Sequence, residues 1–270
     1  MLLSINYHEV FIAVGAVAII AVIVGIILSI AEKVFHVEVD EREEAIRDVL
    51  PGSNCGGCGF AGCDACAEAI AKGNAEVSAC PVGGATVAAK IGEIMGVEVG
   101  DLTRMVAYVK CDGTSDKREV EYDYFGIDSC TYATMVPGSS PYACKFGCLG
   151  FGSCARVCDH QAIRIINRKA VVDENLCVAC GKCLRVCPHN LIELVPADSK
   201  YRVQCASLAR GLEVKNACTA GCIGCGLCAK NCPSEAIVFK NNIAVIDYDK
   251  CTKCGTCVDK CPRKIIKIYE

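Results

Sequence analysis

The sequence lacks the short motifs that mark several large enzyme classes. It contains no G-x-x-x-x-G-K-[ST] loop, no G-x-S-x-G turn and no H-E-x-x-H helix. Its G-x-G-x-x-G match at residues 57–62 contains a cysteine and follows no predicted strand, so it does not indicate a dinucleotide site. We therefore expect no flavin and no NAD on this chain, no catalytic residue, and no substrate-converting site of its own.

Charge is absent from one long stretch near the start of the chain. Residues 10–31 contain no charged residue, and residues 1–9 contain no Lys or Arg. As a helix, residues 10–31 would measure about 33 Å, enough to cross the hydrocarbon core of a bilayer. A cleaved signal peptide is the alternative, but it requires a basic start and a small-residue cleavage site. We predict a transmembrane anchor at residues 1–31, single-pass in the inner (cytoplasmic) membrane, and Lys33 favours a cytoplasmic location for the rest.

Cysteine, by contrast, is abundant, with 25 residues in a chain of 270. A disulfide-rich secreted scaffold is the alternative to metal binding. The chain is long enough to form its own core, and its clustered C-x-x-C spacing suits disulfides poorly. The cysteine content therefore indicates metal ligation in a reducing compartment.

The spacing of the cysteines is typical of 4Fe-4S clusters. Runs beginning at Cys177, Cys222 and Cys251 read C-x-x-C-x-x-C-x-x-x-C, and a run beginning at Cys144 is a stretched version. In such a run three thiolates bind one cluster, and the fourth binds the other cluster of a two-cluster module. The predicted ligand sets are Cys144, Cys148 and Cys154 with Cys187; Cys177, Cys180 and Cys183 with Cys158; Cys222, Cys225 and Cys228 with Cys261; and Cys251, Cys254 and Cys257 with Cys232.

A fifth cluster is predicted in the segment that follows the anchor. Residues 32–100 comprise an acidic tether and a helical domain, with helices expected over 41–50, 62–73 and 84–96. Four cysteines surround the middle helix, and glycines next to them allow the backbone to approach a cluster closely. Zinc is the alternative, although four-cysteine zinc sites usually come as two C-x-x-C pairs. The predicted ligands are Cys55, Cys58, Cys63 and Cys80.

Five cysteines remain outside these sets. The segments V109-K-C111 and V203-Q-C205 match, and each is followed by a further cysteine before the next run. This pattern predicts a sixth 4Fe-4S cluster, with buried free thiols or another metal as alternatives. Its predicted ligands are Cys111, Cys130, Cys205 and Cys218. The fifth cysteine, Cys66, lies on the same helix as Cys63 and is predicted to be a core residue.

Bound clusters would make the chain strongly acidic. The formal net charge is -3, and each oxidised cluster with its four thiolates adds about -2. Nucleic acid is therefore not expected as a partner. Residues 240–270 are an exception, because Lys and Arg outnumber Asp and Glu there. Lys260, Arg263 and Lys264 are predicted to help dock an acidic electron donor, with a solvated surface that binds no partner as the alternative.

The fold class predicted from these patterns is α+β. An N-terminal transmembrane helix and the small helical 4Fe-4S domain precede two tandem bacterial-ferredoxin-like modules of βαββαβ order. Hairpins are expected in AIRII-NRK-AVVD, LIELV-PADSK-YRVQC and AIVF-KNN-IAVID. The predicted domains are residues 1–31, 32–100, 101–200 and 201–270.

The motifs CGGCGFAGCDAC, CPVGGA, GCLGFGSC and CTAGCIGCGLCAKNCP, after an N-terminal apolar span, resemble the B subunit of the Rnf complex. The resemblance implies an electron-relay subunit of a membrane-bound ferredoxin:NAD+ oxidoreductase that translocates Na+ or H+. It also implies reduced ferredoxin as soluble donor, the lipid bilayer as support, and other subunits as partners. The membrane-proximal cluster would then deliver electrons to flavin and iron-sulfur centres in those subunits.

Two alternatives remain open at this stage. The N-terminal motif also resembles that of corrinoid iron-sulfur proteins, so the chain is compatible with a membrane polyferredoxin that serves a hydrogenase or a corrinoid-dependent pathway. A scaffold in which the clusters have only a structural role is the other alternative. Neighbouring genes would distinguish the two electron-transfer functions, and clusters that resist reduction would favour the scaffold.

Overall fold

The computed structural model describes residues 7–34, 40–100 and 102–269, and the chain divides into two compact units, Met1–Glu41 and Arg42–Glu270. The predicted tether lies partly outside the described residues, as does much of the N-terminal tail used to orient the anchor. The described chain combines helices with antiparallel strand pairs, so the expected mixture of helix and strand is confirmed.

The first unit contains one long helix, α1, Tyr7–Val34. The side chains described between Phe11 and Ile30 are exposed, and most of them are apolar. Among the residues that the structure describes, no helix is identified as long and apolar enough to cross a membrane. The anchor at residues 1–31 stays a prediction from the sequence.

Three helices begin the rest of the described chain, and they confirm the three expected in this region. They are α2, Glu41–Val49, α3, Cys63–Ala71, and α4, Gly84–Met95. Gly73 and Gly96 follow α3 and α4 with φ of 72° and 67°, a left-handed conformation that favours glycine at helix ends. Ile46, Ile70 and Ile91, one from each helix, are almost fully buried together and form the centre of this helical core.

Two repeats of the same element order follow. Each contains a strand, two short helices, a β-hairpin, a third short helix and a final strand. The first repeat comprises β1, Met105–Val109; α5, Cys130–Ala133; α6, Ser153–Arg156; β2, Ile163–Ile166; β3, Lys169–Val172; α7, Lys182–Val186; and β4, Ile192–Pro196. The second comprises β5, Tyr201–Val203; α8, Gly211–Ala217; α9, Leu227–Lys230; β6, Ile237–Lys240; β7, Ile243–Ile246; α10, Thr256–Asp259; and β8, Ile266–Ile268.

Two of the three expected hairpins are confirmed. β2 pairs with β3, and β6 pairs with β7, each through a two-residue turn. The turns are Asn167-Arg168 and Asn241-Asn242, and all four residues have positive φ. This backbone geometry is that of tight hairpin turns, whose twist matches the strands on either side, and it favours asparagine.

The third expected hairpin, LIELV-PADSK-YRVQC, is wrong. β4 pairs antiparallel with β1, from Met105↔Pro196 to Val109↔Ile192, and β5 pairs with β8, from Tyr201↔Ile268 to Val203↔Ile266. The segment between β4 and β5 therefore connects the repeats instead of turning a hairpin. In the first repeat, the pairing of β1 with β4 places Val106 and Val195 in one buried cluster.

The repeats differ most in the segment that follows their first strand. In the first repeat residues 112–143, called here the insertion, contain α5 and a short 3₁₀ turn, Pro137–Ser139. The shorter counterpart in the second repeat, residues 206–217, contains α8. The insertion also touches the second repeat, because Arg118 forms an isolated β-bridge with Cys218.

A buried arginine joins the two repeats. Arg202 on β5 is fully buried, and its Nη1 lies 2.5 Å from a carboxylate oxygen of Glu174 in the first repeat. Its guanidinium also lies over the rings of Tyr108 and Tyr269, at 5.5 and 4.4 Å from their centroids. A buried charge needs such partners to offset its loss of hydration, so Arg202 fixes the packing of the second repeat on the first.

Candidate iron-sulfur centres

The N-terminal group of cysteines lies around α3. Cys58, Cys63 and Cys80 all contact the helical core, and the Asn54 side-chain oxygen accepts a hydrogen bond of 2.7 Å from the Cys63 N–H. Cys66 is 1% exposed, in agreement with its prediction as a core residue. Burial, with the neighbouring Cys58, raises the pKa of Cys66 to about 12, which keeps its thiol protonated.

In the second repeat, the four cysteines of one predicted ligand set lie close together. Cys228 lies near Cys222, Cys225 and Cys261, and burial of Cys228 combined with these neighbours raises its pKa. In the other set Cys257 is buried beside Cys251 and Cys254, and Cys232 packs against the same core. Cys225 and Cys254 are exposed, unlike the other cysteines of the chain, which are buried or half-buried.

In the first repeat one predicted set lines a single cavity. Its four cysteines are Cys158, Cys177, Cys180 and Cys183. Backbone N–H groups point at two of the sulfurs: Ala162 donates to Cys158 Sγ, and Ala107 donates to Cys177 Sγ, each at 3.3 Å. Such N–H···S bonds stabilise thiolates and are one of the means by which proteins set cluster potentials.

The remaining eight cysteines of the predicted ligand sets group differently from the expectation. One cavity is lined by Cys130, Cys148, Cys154 and Cys187. A second cavity is lined by Cys111, Cys144, Cys205 and Cys218. Compared with the predicted sets, Cys130 and Cys144 have changed places, because the insertion folds back over α6 and carries Cys130 with it.

A signal for this exchange was present in the sequence. Residues 147–158, GCLGFGSCARVC, match residues 221–232, GCIGCGLCAKNC, without a gap. In this match Cys144 is opposite Cys218, and Phe151 is opposite Cys225. The cysteine spacing alone makes Cys144 the first cysteine of a stretched run, and in that alignment neither correspondence is visible.

Charged side chains surround the Cys111 cavity. Arg118 lines it and lies 3.4 Å above the Tyr142 ring centroid, and it donates hydrogen bonds to the carbonyls of Cys148 and Arg168. Burial of Asp112 alone would raise the pKa of its carboxyl, but hydrogen bonds from Lys169 and Lys117 hold that pKa below its usual value. Positive groups of this kind offset the negative charge that a cluster adds.

The N-terminal cysteine loop contacts the first repeat directly. A Cβ placed on Gly57 would lie 2.7 Å from the Cys180 carbonyl oxygen, so only glycine fits this approach. Arg185 Nη1 donates to the Gly56 carbonyl at 3.3 Å, and Nη2 donates to the Cys55 carbonyl at 3.4 Å. The backbone beside Cys55 is thereby held against the loop that carries Cys180.

The basic C-terminal residues are not all free surface charges. Lys260 and Lys264 are exposed. Arg263 is half-buried, and its guanidinium donates to the carbonyls of Gly221 at 3.3 Å and Cys218 at 2.9 Å. Arg263 therefore has a structural role beside Cys218, and the docking patch expected from the sequence reduces to Lys260 and Lys264.

The donor chemistry fits iron-sulfur clusters. All 25 cysteines lie in the described residues and are free thiols. No group of three or more His, Cys, Asp or Glu side chains in residues 7–34, 40–100 or 102–269 is arranged to hold a single metal ion. A 4Fe-4S cube takes its four thiolates at separate corners, an arrangement that four cysteines around one cavity can supply.

Family models match three parts of the chain. Residues 50–82 match the family described as "Putative Fe-S cluster", residues 169–192 match a 4Fe-4S binding domain, and residues 221–265 match a 4Fe-4S dicluster domain. Together with the cysteine-lined cavities, these matches define an iron-sulfur protein with ferredoxin-type 4Fe-4S domains.

Curated relatives cover most of the chain. The B subunit of the Na(+)-translocating ferredoxin:NAD(+) oxidoreductase complex of Acetobacterium woodii is 44% identical over 90% of this chain and 73% of its own length. The B subunit of an ion-translocating oxidoreductase complex of Methanosarcina acetivorans is 42% identical, over 91% and 93%. The B subunit of the proton-translocating ferredoxin:NAD(+) oxidoreductase complex of Clostridium ljungdahlii is 40% identical, over 86% and 82%. The chain belongs to the Rnf family of ion-translocating oxidoreductase complex B subunits, which confirms the resemblance found in its motifs.

Proposed function

We propose that this chain receives electrons from soluble reduced ferredoxin and passes them to membrane-embedded partner subunits of a ferredoxin:NAD+ oxidoreductase complex. The observation that carries the proposal is a series of cysteine groups. It begins at the exposed Cys225 and Cys254 in the second repeat and ends at the N-terminal loop, where Gly57 contacts Cys180 in the first repeat. Bound 4Fe-4S clusters supply one-electron transfer. The names of the three relatives favour this function over the polyferredoxin and scaffold alternatives.

The cysteines hold six 4Fe-4S clusters in this proposal, and the two repeats are tandem ferredoxin-like modules. The matching element order and strand pairing of the repeats support the tandem arrangement. The number of clusters follows from 24 cysteines in six groups of four, with Cys66 left in the helical core. Anaerobically purified protein should then contain about 24 iron and 24 sulfide per chain.

The function is tested with the assembled complex. We expect the purified complex to reduce NAD+ with reduced ferredoxin, and a complex that retains its other subunits but lacks this chain to form no NADH. Adding back the chain should restore NADH formation, whereas the Cys80→Ala chain should bind but not restore it. Undiminished NADH formation without this chain would contradict the proposal.

The membrane anchor is a separate part of the proposal. Residues 10–31 are uncharged, and two lysines at the centre of such a span cost about 3 kcal/mol each. We expect Ile20→Lys with Val24→Lys to move the chain from the alkali-washed membrane fraction into the supernatant. The control, Val238→Lys at an exposed position of β6, should leave it in the membrane fraction. If the double variant stayed with the washed membranes, another segment would be the anchor.

A further inference from the structure

The first repeat lacks one cysteine that the second repeat has. Phe151 occupies the position of Cys225, between two glycines with the same backbone conformation in both repeats. Gly150 and Gly152 have φ of 77° and 74°, and their counterparts Gly224 and Gly226 have φ of 70° and 69°. The backbone is therefore built for the same loop, but the first repeat must obtain its fourth thiolate elsewhere.

Cys130 lies where that thiolate is needed. Its side chain lines the cavity shared by Cys148, Cys154 and Cys187, and Cys130 is buried in the same apolar cluster as Phe151. The Cys130 N–H donates a hydrogen bond of 2.9 Å to the hydroxyl of Ser153, the first residue of α6. This bond fixes α5 of the insertion beside the helix that carries Cys154.

The cavity lined by Cys111, Cys144, Cys205 and Cys218 receives equivalent cysteines from the two repeats. Cys111 and Cys205 both follow a first strand, at the same distance in sequence. Cys111 Sγ accepts N–H groups from Gly113 and Cys148, each at 3.4 Å. Cys205 Sγ accepts the equivalent pair, from Ser207 at 3.5 Å and from Cys222 at 3.3 Å.

The second pair of cysteines in this cavity is related in the same way. Cys144 precedes Cys148 by four residues, and Cys218 precedes Cys222 by four residues. The cavity is thus lined by two equivalent cysteines from each repeat, which is the symmetry expected of a site shared between duplicated halves. No family model that matches the chain includes any of these four residues.

We propose that Cys111, Cys144, Cys205 and Cys218 hold one 4Fe-4S cluster between the repeats, and that Cys130 replaces the cysteine missing at position 151. The cluster of the first repeat is then held by Cys130, Cys148, Cys154 and Cys187. This inference rests on the proposed function, in that it takes the chain to be a 4Fe-4S protein. Arg118 and Arg263, at the Cys111 cavity and on the Cys218 carbonyl, supply positive charge beside the shared site.

A rescue experiment tests the exchange of Cys130 and Cys144. Cys130→Ala and Cys144→Ala are each made alone and together with Phe151→Cys, and iron, sulfide and the EPR spectrum of the dithionite-reduced chain are measured. We expect Phe151→Cys to restore about 24 iron to the Cys130→Ala chain, because the new thiolate stands at the position of Cys225. It should restore nothing to the Cys144→Ala chain. Rescue of Cys144→Ala instead of Cys130→Ala would overturn the proposal.

A second measurement keeps the test decisive if Phe151→Cys disturbs folding. Cys144→Ala, Cys205→Ala and Cys218→Ala should remove the same component of the EPR spectrum. Cys130→Ala should remove the component that Cys187→Ala removes. If Cys144→Ala matched Cys187→Ala, and Cys130→Ala matched Cys218→Ala, the ligand sets would be those expected from the sequence. A parental chain that purifies with no iron or sulfide would contradict the proposed function itself.

Discussion

The two repeats share their element order and strand pairing, yet the cysteine loops of the first repeat are covered by other segments and those of the second repeat are exposed to solvent. In the second repeat Cys225 and Cys254 are exposed. In the first repeat position 151 is buried beneath the insertion, and the N-terminal loop covers the loop of Cys180 at Gly57 and is held there by Arg185. The same loop geometry therefore contacts other parts of the chain in the first repeat and remains open to solvent in the second.

Two separate segments cover the cysteine loops of the first repeat: the insertion and the N-terminal loop. The insertion adds α5 and the aromatic residues Tyr124 and Tyr142, and Tyr124 packs on Phe151 with ring centroids 5.1 Å apart. The N-terminal loop adds its backbone at Cys180. Because the second repeat has neither, its cysteine loops at Cys225 and Cys254 remain accessible to solvent.

The largest expected effect comes from removing the exposed ligands. The double variant Cys225→Ala/Cys254→Ala should be reduced by ferredoxin at less than about a tenth of the parental rate, equivalent to about 1.4 kcal/mol in activation free energy. The matched variant in the first repeat, Cys130→Ala/Cys180→Ala, should keep the fast phase with a smaller total amplitude. Stopped-flow absorbance of the cluster bands measures both. Equal loss of the fast phase in the two variants would remove the functional difference between the repeats.

A smaller effect is expected from the charges beside the exposed loops. Lys260→Glu with Lys264→Glu should slow reduction by ferredoxin about threefold at low salt, and the difference should shrink as salt screens the charges. Lys72→Glu, directly after α3, combined with Lys90→Glu on α4, is the control with the same change of charge. A salt-independent rate, or an equal effect of the control pair, would show that ferredoxin docks elsewhere.

Arg118 allows the shared site between the repeats to be examined. We expect Arg118→Met to lower the reduction potential of one cluster, because a buried positive charge next to the cavity favours the added electron. Arg118→Lys keeps the charge but loses the stacking on Tyr142, and it should shift the potential less. An EPR-monitored redox titration gives the potential, and iron content shows whether the cluster is retained. Identical potentials in all three proteins would mean that Arg118 acts only in packing.

The effect of smallest extent is expected at the contact between the N-terminal loop and the first repeat. Arg185→Ala removes two hydrogen bonds and should weaken docking by about 1 kcal/mol, about a fivefold change in the equilibrium. Hydrogen exchange at Cys55 and Gly56 should increase, while exchange in the second repeat stays unchanged. Lys230→Ala, on α9 of the second repeat, is the control. Unchanged exchange in Arg185→Ala would show that the Gly57 approach alone holds the loop.

Local features were predictable because they depend on neighbouring residues. The helices α2, α3 and α4 and the hairpins β2-β3 and β6-β7 follow the predictions. Cys158, Cys177, Cys180 and Cys183, which were predicted to share a cluster, line one cavity. Gly73 and Gly96 end α3 and α4, and asparagines in the two hairpin turns adopt the positive φ that these turns require. The grouping of Cys144 with Cys218 can also be predicted from the sequence, because the ungapped match of residues 147–158 to 221–232 places the two cysteines opposite each other.

The sequence by itself determined how many thiolates the chain carries and which short loops present them. Only the tertiary structure decided which thiolates meet. β4 pairs with β1 and not with β5, its neighbour in sequence. Cys130 lies beside α6 because of the path of the insertion, and no rule of cysteine spacing describes that path. The physical reason is range: turns and helices are fixed by interactions over a few residues, whereas strand partners and shared cavities depend on burial between segments far apart in the chain.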